Sequence, residues 1–322
     1  MKQVCQMLSP EIKNITILGT SMMGPGIALL FARAGYPTTM WAHTPDGEST
    51  GKRRVDRNIE DLVQQGIITE TEAERCRANV SVTCDWETAT ANADFVAEAV
   101  IELLDVKQEL FAKLEKSCPE NTILTSNTST LLPTDLSKTM QDASRMLVAH
   151  FWNPAHLVPL VEVCPHPGTD PRAVELTMQL LKTIGNEPVH IKKEILGFIG
   201  NRVMHAMNRE ALALVSEGVC TPEDIDKVVL TSFGPRFANL GLLEYLDFVG
   251  LDHIQRIQNY LYADLDNTPG PLPVIDQKVA DGELGCKTGT GLFNWSSRDK
   301  DGPRLRRDQE FLRRIKAAGK EQ

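Results

Sequence analysis

With 322 residues, 42% of them hydrophobic and 24% charged, the chain is long enough for two domains with cores of their own, and its composition is that of a soluble globular protein. A net charge of -9 argues against a duplex nucleic-acid surface, which needs a basic stripe, but leaves room for a local basic pocket that holds an anionic metabolite. No apolar run approaches the length of about 18 residues that a membrane-spanning helix requires, so no membrane partner is expected.

Taken in chain order, the first third alternates strand and helix patterns. Residues 15–18 form a short β-branched strand, followed at once by Gly19-Thr20-Ser21-Met22-Met23-Gly24-Pro25-Gly26. A helical pattern then runs through Ile27, Leu30, Phe31 and Ala34 until Gly35 stops it. Residues 38–42 read as a second strand, and the charged stretch 51–78 as a pair of exposed helices. Further strands are predicted at 95–99, 122–125, 146–149, 160–163 and 188–191. Strands separated by helical segments imply parallel crossovers and a doubly wound, Rossmann-type α/β domain.

The texture changes after Lys193. Val203, Met207, Ala211, Leu214 and Val215 mark one apolar stripe at helical spacing. Thr221-Pro222-Glu223-Asp224 carries a hydroxyl cap with Pro at the first helical position. The expected organisation is a dinucleotide-binding domain over 1–193 and an all-α domain for substrate and dimerisation over 194–322, ending in a solvated basic helix from Arg304 to Lys320.

The first residues, Met1 to Cys5, lack the apolar core of a signal peptide. Seven cysteines (Cys5, Cys76, Cys84, Cys118, Cys164, Cys220 and Cys286) form an odd, scattered set without a C-x-x-C pair. They read as reduced thiols with no zinc or other metal site, and the cytoplasm is the expected compartment.

Gly19, Gly24 and Gly26 lie on a strand-to-helix turn in the first βαβ unit, where backbone N–H groups and the positive helix end face a pyrophosphate. Two departures from the usual pattern stand out. Ser21 replaces the middle glycine; it is small enough to fit, and its hydroxyl can donate to a phosphate oxygen. At the end of the second strand, where an acidic residue normally holds the ribose 2′-hydroxyl, the chain has Ala42-His43-Thr44. Without that carboxylate nothing repels a 2′-phosphate, so NADP stays open beside NAD, with His43 and Thr44 as the nearest polar groups.

His150 follows a predicted strand, and Glu162 lies twelve residues later on the next. Oxidising an alcohol without a metal requires a base for the hydroxyl proton, and an imidazole with an unperturbed pKa of about 6.5 suits the task. A carboxylate on its other ring nitrogen would fix the tautomer.

The segments Gly19 to Ala28, Ser126 to Ser129, His150 to Pro154, Leu160 to Val163, Gly197 to Arg202 and Lys287 to Gly291, in this order and spacing, resemble the 3-hydroxyacyl-CoA dehydrogenase family over nearly the whole chain. The resemblance implies His150 as general base, Glu162 as its partner, and Ser129 and Asn201 as holders of the reacting oxygen. Read without it, Ser129 is equally a turn residue and Asn201 a helix cap. It also implies that Met22, Met23, Glu102, Lys107, Asn153 and Lys287, with the glycine turn, line the cofactor. A homodimer and a site between the domains are implied as well, as is a role in fatty-acid metabolism.

The substrate is less legible. Acyl-CoA members of the family carry basic residues at the end of the helix after the second strand, where this chain has Gln64-Gln65-Gly66. The run 154–159, together with 165–167 and 232–237, is similar to relatives acting on free hydroxy acids, including the gulonate dehydrogenase/lambda-crystallin branch and carnitine dehydrogenases. Lys52, Arg53, Arg54 and Arg57 remain as phosphate partners. A 3-hydroxyacyl-CoA is the leading expectation and a free 3-hydroxy acid the alternative. For the latter Arg236 would clamp the carboxylate and His156 line the same pocket. A non-enzymatic dinucleotide-binding protein is the remote third reading, against which the four-residue set at 129, 150, 162 and 201 argues.

Overall fold

The computed structural model describes residues 11–318; Cys5 and the end of the basic tail at Lys320 lie outside the described residues. The first elements are β1 (Ile15–Leu18), α1 (Gly24–Arg33), β2 (Thr38–Trp41), α2 (Pro45–Gln64), α3 (Glu70–Ala78), β3 (Val80–Thr83), α4 (Trp86–Thr90) and β4 (Phe95–Glu98). There follow α5 (Leu104–Ser117), β5 (Ile123–Ser126), α6 (Pro133–Leu136), β6 (Met146–Phe151), β7 (Leu160–Pro165), α7 (Pro171–Thr183) and β8 (Glu187–His190). The remainder is helical: α8 (Phe198–Ser216), α9 (Pro222–Thr231), α10 (Phe233–Phe237), α11 (Leu242–Val249), α12 (Leu251–Leu261), α13 (Pro273–Ala280) and α14 (Gly302–Ala318).

The eight strands form one sheet in the order β3-β2-β1-β4-β5-β6-β7-β8. The central strands β1, β4 and β5 are buried along their whole length, as parallel strands covered on both faces must be. Strand order reverses between β1 and β4, which opens a crevice at the carboxyl ends of these strands. Two differences from the sequence expectation are local. β3 is an additional strand, half-buried at the sheet edge, where only Val80 and Val82 pack on the core and the VSVT run is less apolar than the central strands. β7 runs antiparallel to β6, because only residues 152–159 join them and a parallel crossover needs a dozen or more residues.

Local chemistry explains the helices around the crevice. α1 buries nine of its ten residues and starts with Pro25 in its first turn. α2 is capped by Thr44, whose hydroxyl accepts from the Gly47 N–H at 3.1 Å, and carries Asp46 and Glu48 in its first turn. Its inward face, Gly51, Val55, Ile59 and Leu62, follows the helical period.

The chain divides into two compact units, residues 1–201 with 304–322, and residues 202–303. The last helix therefore belongs to the first unit, whereas the sequence reading placed it, solvated, with the helical domain. The reason is an apolar stripe inside the basic tail: Leu312 is buried in the core of the first unit, and Phe311 and Ile315 pack beside it. In the second unit α9 to α13 contain no buried residue. Tyr260 is 91% exposed, Phe248 81%, Leu243 73% and Leu230 70%. Among the described residues no helix is long and apolar enough to cross a membrane, and no cluster of side chains could hold a metal ion.

Candidate active site

The glycine turn sits at the β1 end of the crevice. Gly19 has φ +109, a conformation that side chains rarely adopt, and a Cβ there would come within 2.5 Å of the Ala99 carbonyl. A Cβ on Gly24 would collide with the Gly19 carbonyl. Both glycines thus let the backbone turn tightly from β1 into α1. Met23 occupies the cap position without a side-chain hydrogen bond, so the first amides of α1 are not consumed by a capping group. Ser21 and Met22 are exposed beside them. This cradle fits a dinucleotide pyrophosphate.

At the end of β2, Ala42 is buried and His43 exposed, with the Trp41 and His43 rings in edge contact at 5.8 Å. The Thr44 hydroxyl caps α2 and so is already engaged. Arg54, one of the four cations of α2, donates to the Thr20 carbonyl at 3.1 Å and ties that helix to the glycine turn.

The antiparallel register places His150 directly opposite Glu162. His150 Nδ1 lies 2.9 Å from Glu162 Oε2, and both residues are buried. Oε2 also accepts from Trp152 Nε1 at 3.2 Å, while Oε1 accepts from the Ile199 and Gly200 N–H groups, each at 2.9 Å. Burial pushes the Glu162 carboxyl up, but the hydrogen bonds from His150, Gly200 and Trp152 outweigh it and hold the carboxyl below its ordinary value. The imidazole is packed between the rings of Trp152 and Phe198, 5.4 Å and 5.6 Å away. Phe198, the first residue of α8, holds a backbone φ of 51, the one left-handed non-glycine residue among those described. Gly200 is required by its neighbour, since a Cβ there would overlap the Trp152 ring.

From this pair, hydrogen bonds and adjacent residues lead on to Asn201, Ser129, Glu102 and Lys107. Asn201, next to Gly200, donates from Nδ2 to the Ser129 carbonyl at 3.0 Å, so its amide bridges to another loop and does not cap its own helix. The Ser129 N–H donates to Glu102 at 3.2 Å, and the Thr128 hydroxyl donates to the same carboxylate oxygen. Asn127 accepts the Phe151 N–H at 2.7 Å, which fastens this turn to β6. Lys107 lies between Glu98 at 2.6 Å and Glu102 at 3.2 Å. Burial pushes the Glu102 carboxyl up, yet Thr128, Lys107 and the Ser129 amide together bring it below the ordinary value.

Ser126, Thr128 and Trp152, which stand in the sequence inside segments that carry the family resemblance but with no role assigned, belong to this network, as does Glu98, which was not singled out at all. An acidic residue inside the otherwise apolar strand 95–99 was the one available signal, because buried carboxylates demand partners. Asn153 is exposed and precedes Pro154 across a cis peptide bond.

Three predicted residues stand apart. His156 does not share a pocket with His150. Its ring packs against Gly26 of α1 and lines a groove of about 740 Å³ with Leu30, Arg33, Asn186, Phe311 and Ile315, where burial pushes its pKa down to about 4. The short 152–159 connection carries it away from the β6 end. Arg236 and Lys287 are exposed and belong to the second unit. The Arg236 guanidinium lies 4.5 Å from the Tyr245 ring centre, a cation–π contact, and Lys287 sits in the glycine-rich turn 285–291.

Comparison with known proteins identifies the family. Residues 14–195 match the family model described as 3-hydroxyacyl-CoA dehydrogenase, NAD binding domain, and residues 197–295 match its C-terminal domain. The chain is 33% identical over 282 residues to 5-formyl-3-hydroxy-2-methylpyridine 4-carboxylate 5-dehydrogenase of Mesorhizobium japonicum, covering 88% of this chain and 90% of that protein. It is 34% identical over 289 residues to a probable 3-hydroxybutyryl-CoA dehydrogenase of Bacillus subtilis, covering 89% and 99%. A crystal structure of a 5-formyl-3-hydroxy-2-methylpyridine 4-carboxylic acid 5-dehydrogenase, an NAD+ dependent dismutase, superposes with a TM-score of 0.86 at 31% identity, over 94% of this chain and 98% of that one. The chain belongs to the 3-hydroxyacyl-CoA dehydrogenase family, NAD-dependent oxidoreductases that act on CH–OH groups.

Proposed function

We propose that this protein oxidises or forms a secondary alcohol, with His150 as the base. NAD, when bound, supplies the two-electron hydride chemistry. The observation that carries the reading is the buried 2.9 Å contact between His150 Nδ1 and Glu162. With Nδ1–H donating to the carboxylate, the other ring nitrogen, Nε2, is left to accept the substrate hydroxyl proton. Glu162 holds the tautomer and stabilises the imidazolium as it forms. In this reading Ser129 and Asn201 donate to the reacting oxygen, supported by the bond that ties the Asn201 amide to the Ser129 carbonyl, and the Trp152 and Phe198 rings packed on the imidazole limit its contact with water.

For the substrate we favour a small free hydroxy acid. Two observations support it: the last turn of α2 contains no basic residue to meet CoA phosphates, and the fold matches a dehydrogenase of a pyridine carboxylate along almost its whole length. A 3-hydroxyacyl-CoA is the second reading, supported by the 34% identical relative from Bacillus subtilis. The test is a matrix of acetoacetyl-CoA, 3-hydroxybutyryl-CoA and several free 3-hydroxy acids, each with NAD and NADP. Turnover of free acids at least tenfold more efficient than of thioesters supports the first reading, and the opposite ranking replaces it with the second. Cofactor binding without turnover of anything would return the non-enzymatic alternative.

We further propose that the second unit pairs with a second copy of the chain, because large apolar side chains such as Phe248 and Tyr260 lie open on it. Phe248→Asp combined with Tyr260→Asp is expected to convert a particle of twice the chain mass into one of single chain mass by sedimentation. A wild-type chain that sediments as a monomer would refute the pairing. Burial pushes Cys118 to about 11 and Cys164 to about 12, which fits unreactive thiols at these two positions.

A further inference from the structure

Glu98 ends β4 and is completely buried. Its carboxylate accepts from Lys107 Nζ at 2.6 Å, from the Val100 N–H at 2.7 Å and from the Ser126 hydroxyl. Lys107 is only 1% exposed, so its ammonium reaches the crevice by its field and not by direct contact. The second partner, Glu102, has a side chain 41% exposed. Two carboxylates against one ammonium leave one net negative charge, presented to the crevice by Glu102.

Its place in the fold gives that charge a consequence. Gly19 of the phosphate turn touches the backbone at Ala99, one residue beyond Glu98. His150 lies at the same edge of the sheet, two strands further on. A dinucleotide with its phosphates on the glycine turn and its reacting ring in reach of a substrate held at His150 must cross the ends of β4 and β5. The nicotinamide ring is cationic in NAD+ and neutral in NADH. We propose that Glu98 is a positioning residue which, by fixing Lys107 between two carboxylates, sets this charge and biases the site toward the oxidised cofactor. The inference rests on the reading that the reacting ring lies toward His150. One unit charge about 10 Å away at an effective dielectric of 20 to 40 corresponds to a bias of about 4- to 20-fold in affinity.

Calorimetric titration of the full-length protein with NAD+ and with NADH tests the bias without any turnover. Glu98→Gln is expected to lower the preference for NAD+ over NADH by about 4- to 20-fold, near 30 mV in the bound couple for a tenfold change. Glu98→Gln combined with Lys107→Met removes one charge of each sign and is expected to restore the wild-type ratio to within about twofold, although it breaks the same hydrogen bonds. Should Glu98→Gln fail to fold, Glu102→Gln removes the same charge from a half-exposed position and must move the ratio in the same direction. An unchanged ratio in the foldable single variant, or a double variant shifted as far as Glu98→Gln, overturns the proposal. Wild-type protein that binds neither form of the cofactor would instead overturn the dinucleotide reading itself.

Discussion

His150→Ala is expected to lower kcat by about 10²- to 10⁴-fold, the usual share of a positioned acid–base group, while the Kd for NAD stays within about twofold of the wild type. The two effects separate because the glycine turn and His150 sit on different strands, β1 and β6, with β4 and β5 between them. The ring is buried among Trp152, Phe198 and Glu162, so its loss also leaves a cavity. A drop of a few kcal/mol in stability is therefore expected alongside the kinetic loss. Steady-state kinetics and cofactor titration on the same sample check both. Turnover within tenfold of wild type would remove His150 from the chemistry.

Glu162→Gln should be nearly as damaging, for a different reason. Its carboxylate is the acceptor for four donors: the His150 ring, the Trp152 indole and two backbone amides at the start of α8. A carboxamide has only one acceptor oxygen. If it faces the α8 amides, its NH2 group meets the Trp152 donor and forces His150 into the tautomer with Nδ1 as acceptor and Nε2 protonated. A base that is already protonated cannot take the substrate proton, so kcat is expected to fall by about 10²- to 10⁴-fold. Leaving a buried donor unpaired costs about 1–3 kcal/mol in addition.

The same carboxylate predicts a pH effect on folding. Its folded-state pKa lies below the ordinary 4.5, so the stability it contributes is present above that value and is lost as pH falls through the folded pKa. Wild-type protein should therefore show a steeper acid loss of stability than Glu162→Gln in denaturant titrations below pH 4.5. Parallel acid profiles would mean that the four hydrogen bonds do not favour the ionised form.

Much of this site was legible because its signals are local. The glycine turn announces itself by lying between a strand pattern and a helix pattern, and the structure shows why only glycine serves at positions 19 and 24. His150 and Glu162 were paired from their spacing and from family resemblance. The physical basis of that spacing is the short connection 152–159, which folds β7 back along β6 and sets residues twelve apart face to face.

What the sequence concealed depends on contacts between distant segments. Glu98 and Ser126, 28 residues apart, become partners only through the pairing of β4 with β5. Whether Lys107 is a solvated helix residue or the centre of a buried ion cluster cannot be told from its neighbours in sequence. The tail 304–318 reads as basic and solvated until its Phe311, Leu312 and Ile315 stripe meets the first unit. His156 stands next to the catalytic segment in sequence but faces α1, because Gly26 leaves space for its ring there.

Isotope tracing tests the central claim most directly. A substrate accepted in the turnover matrix is prepared with deuterium on its carbinol carbon and oxidised with NAD in a single turnover. Mass spectrometry should find the deuterium on the reduced nicotinamide in wild-type protein, with the rate of label transfer lowered by at least 10²-fold in His150→Ala. Label released to water, or transferred equally fast by both proteins, would contradict a mechanism in which the imidazole opposite Glu162 takes the proton as hydride leaves.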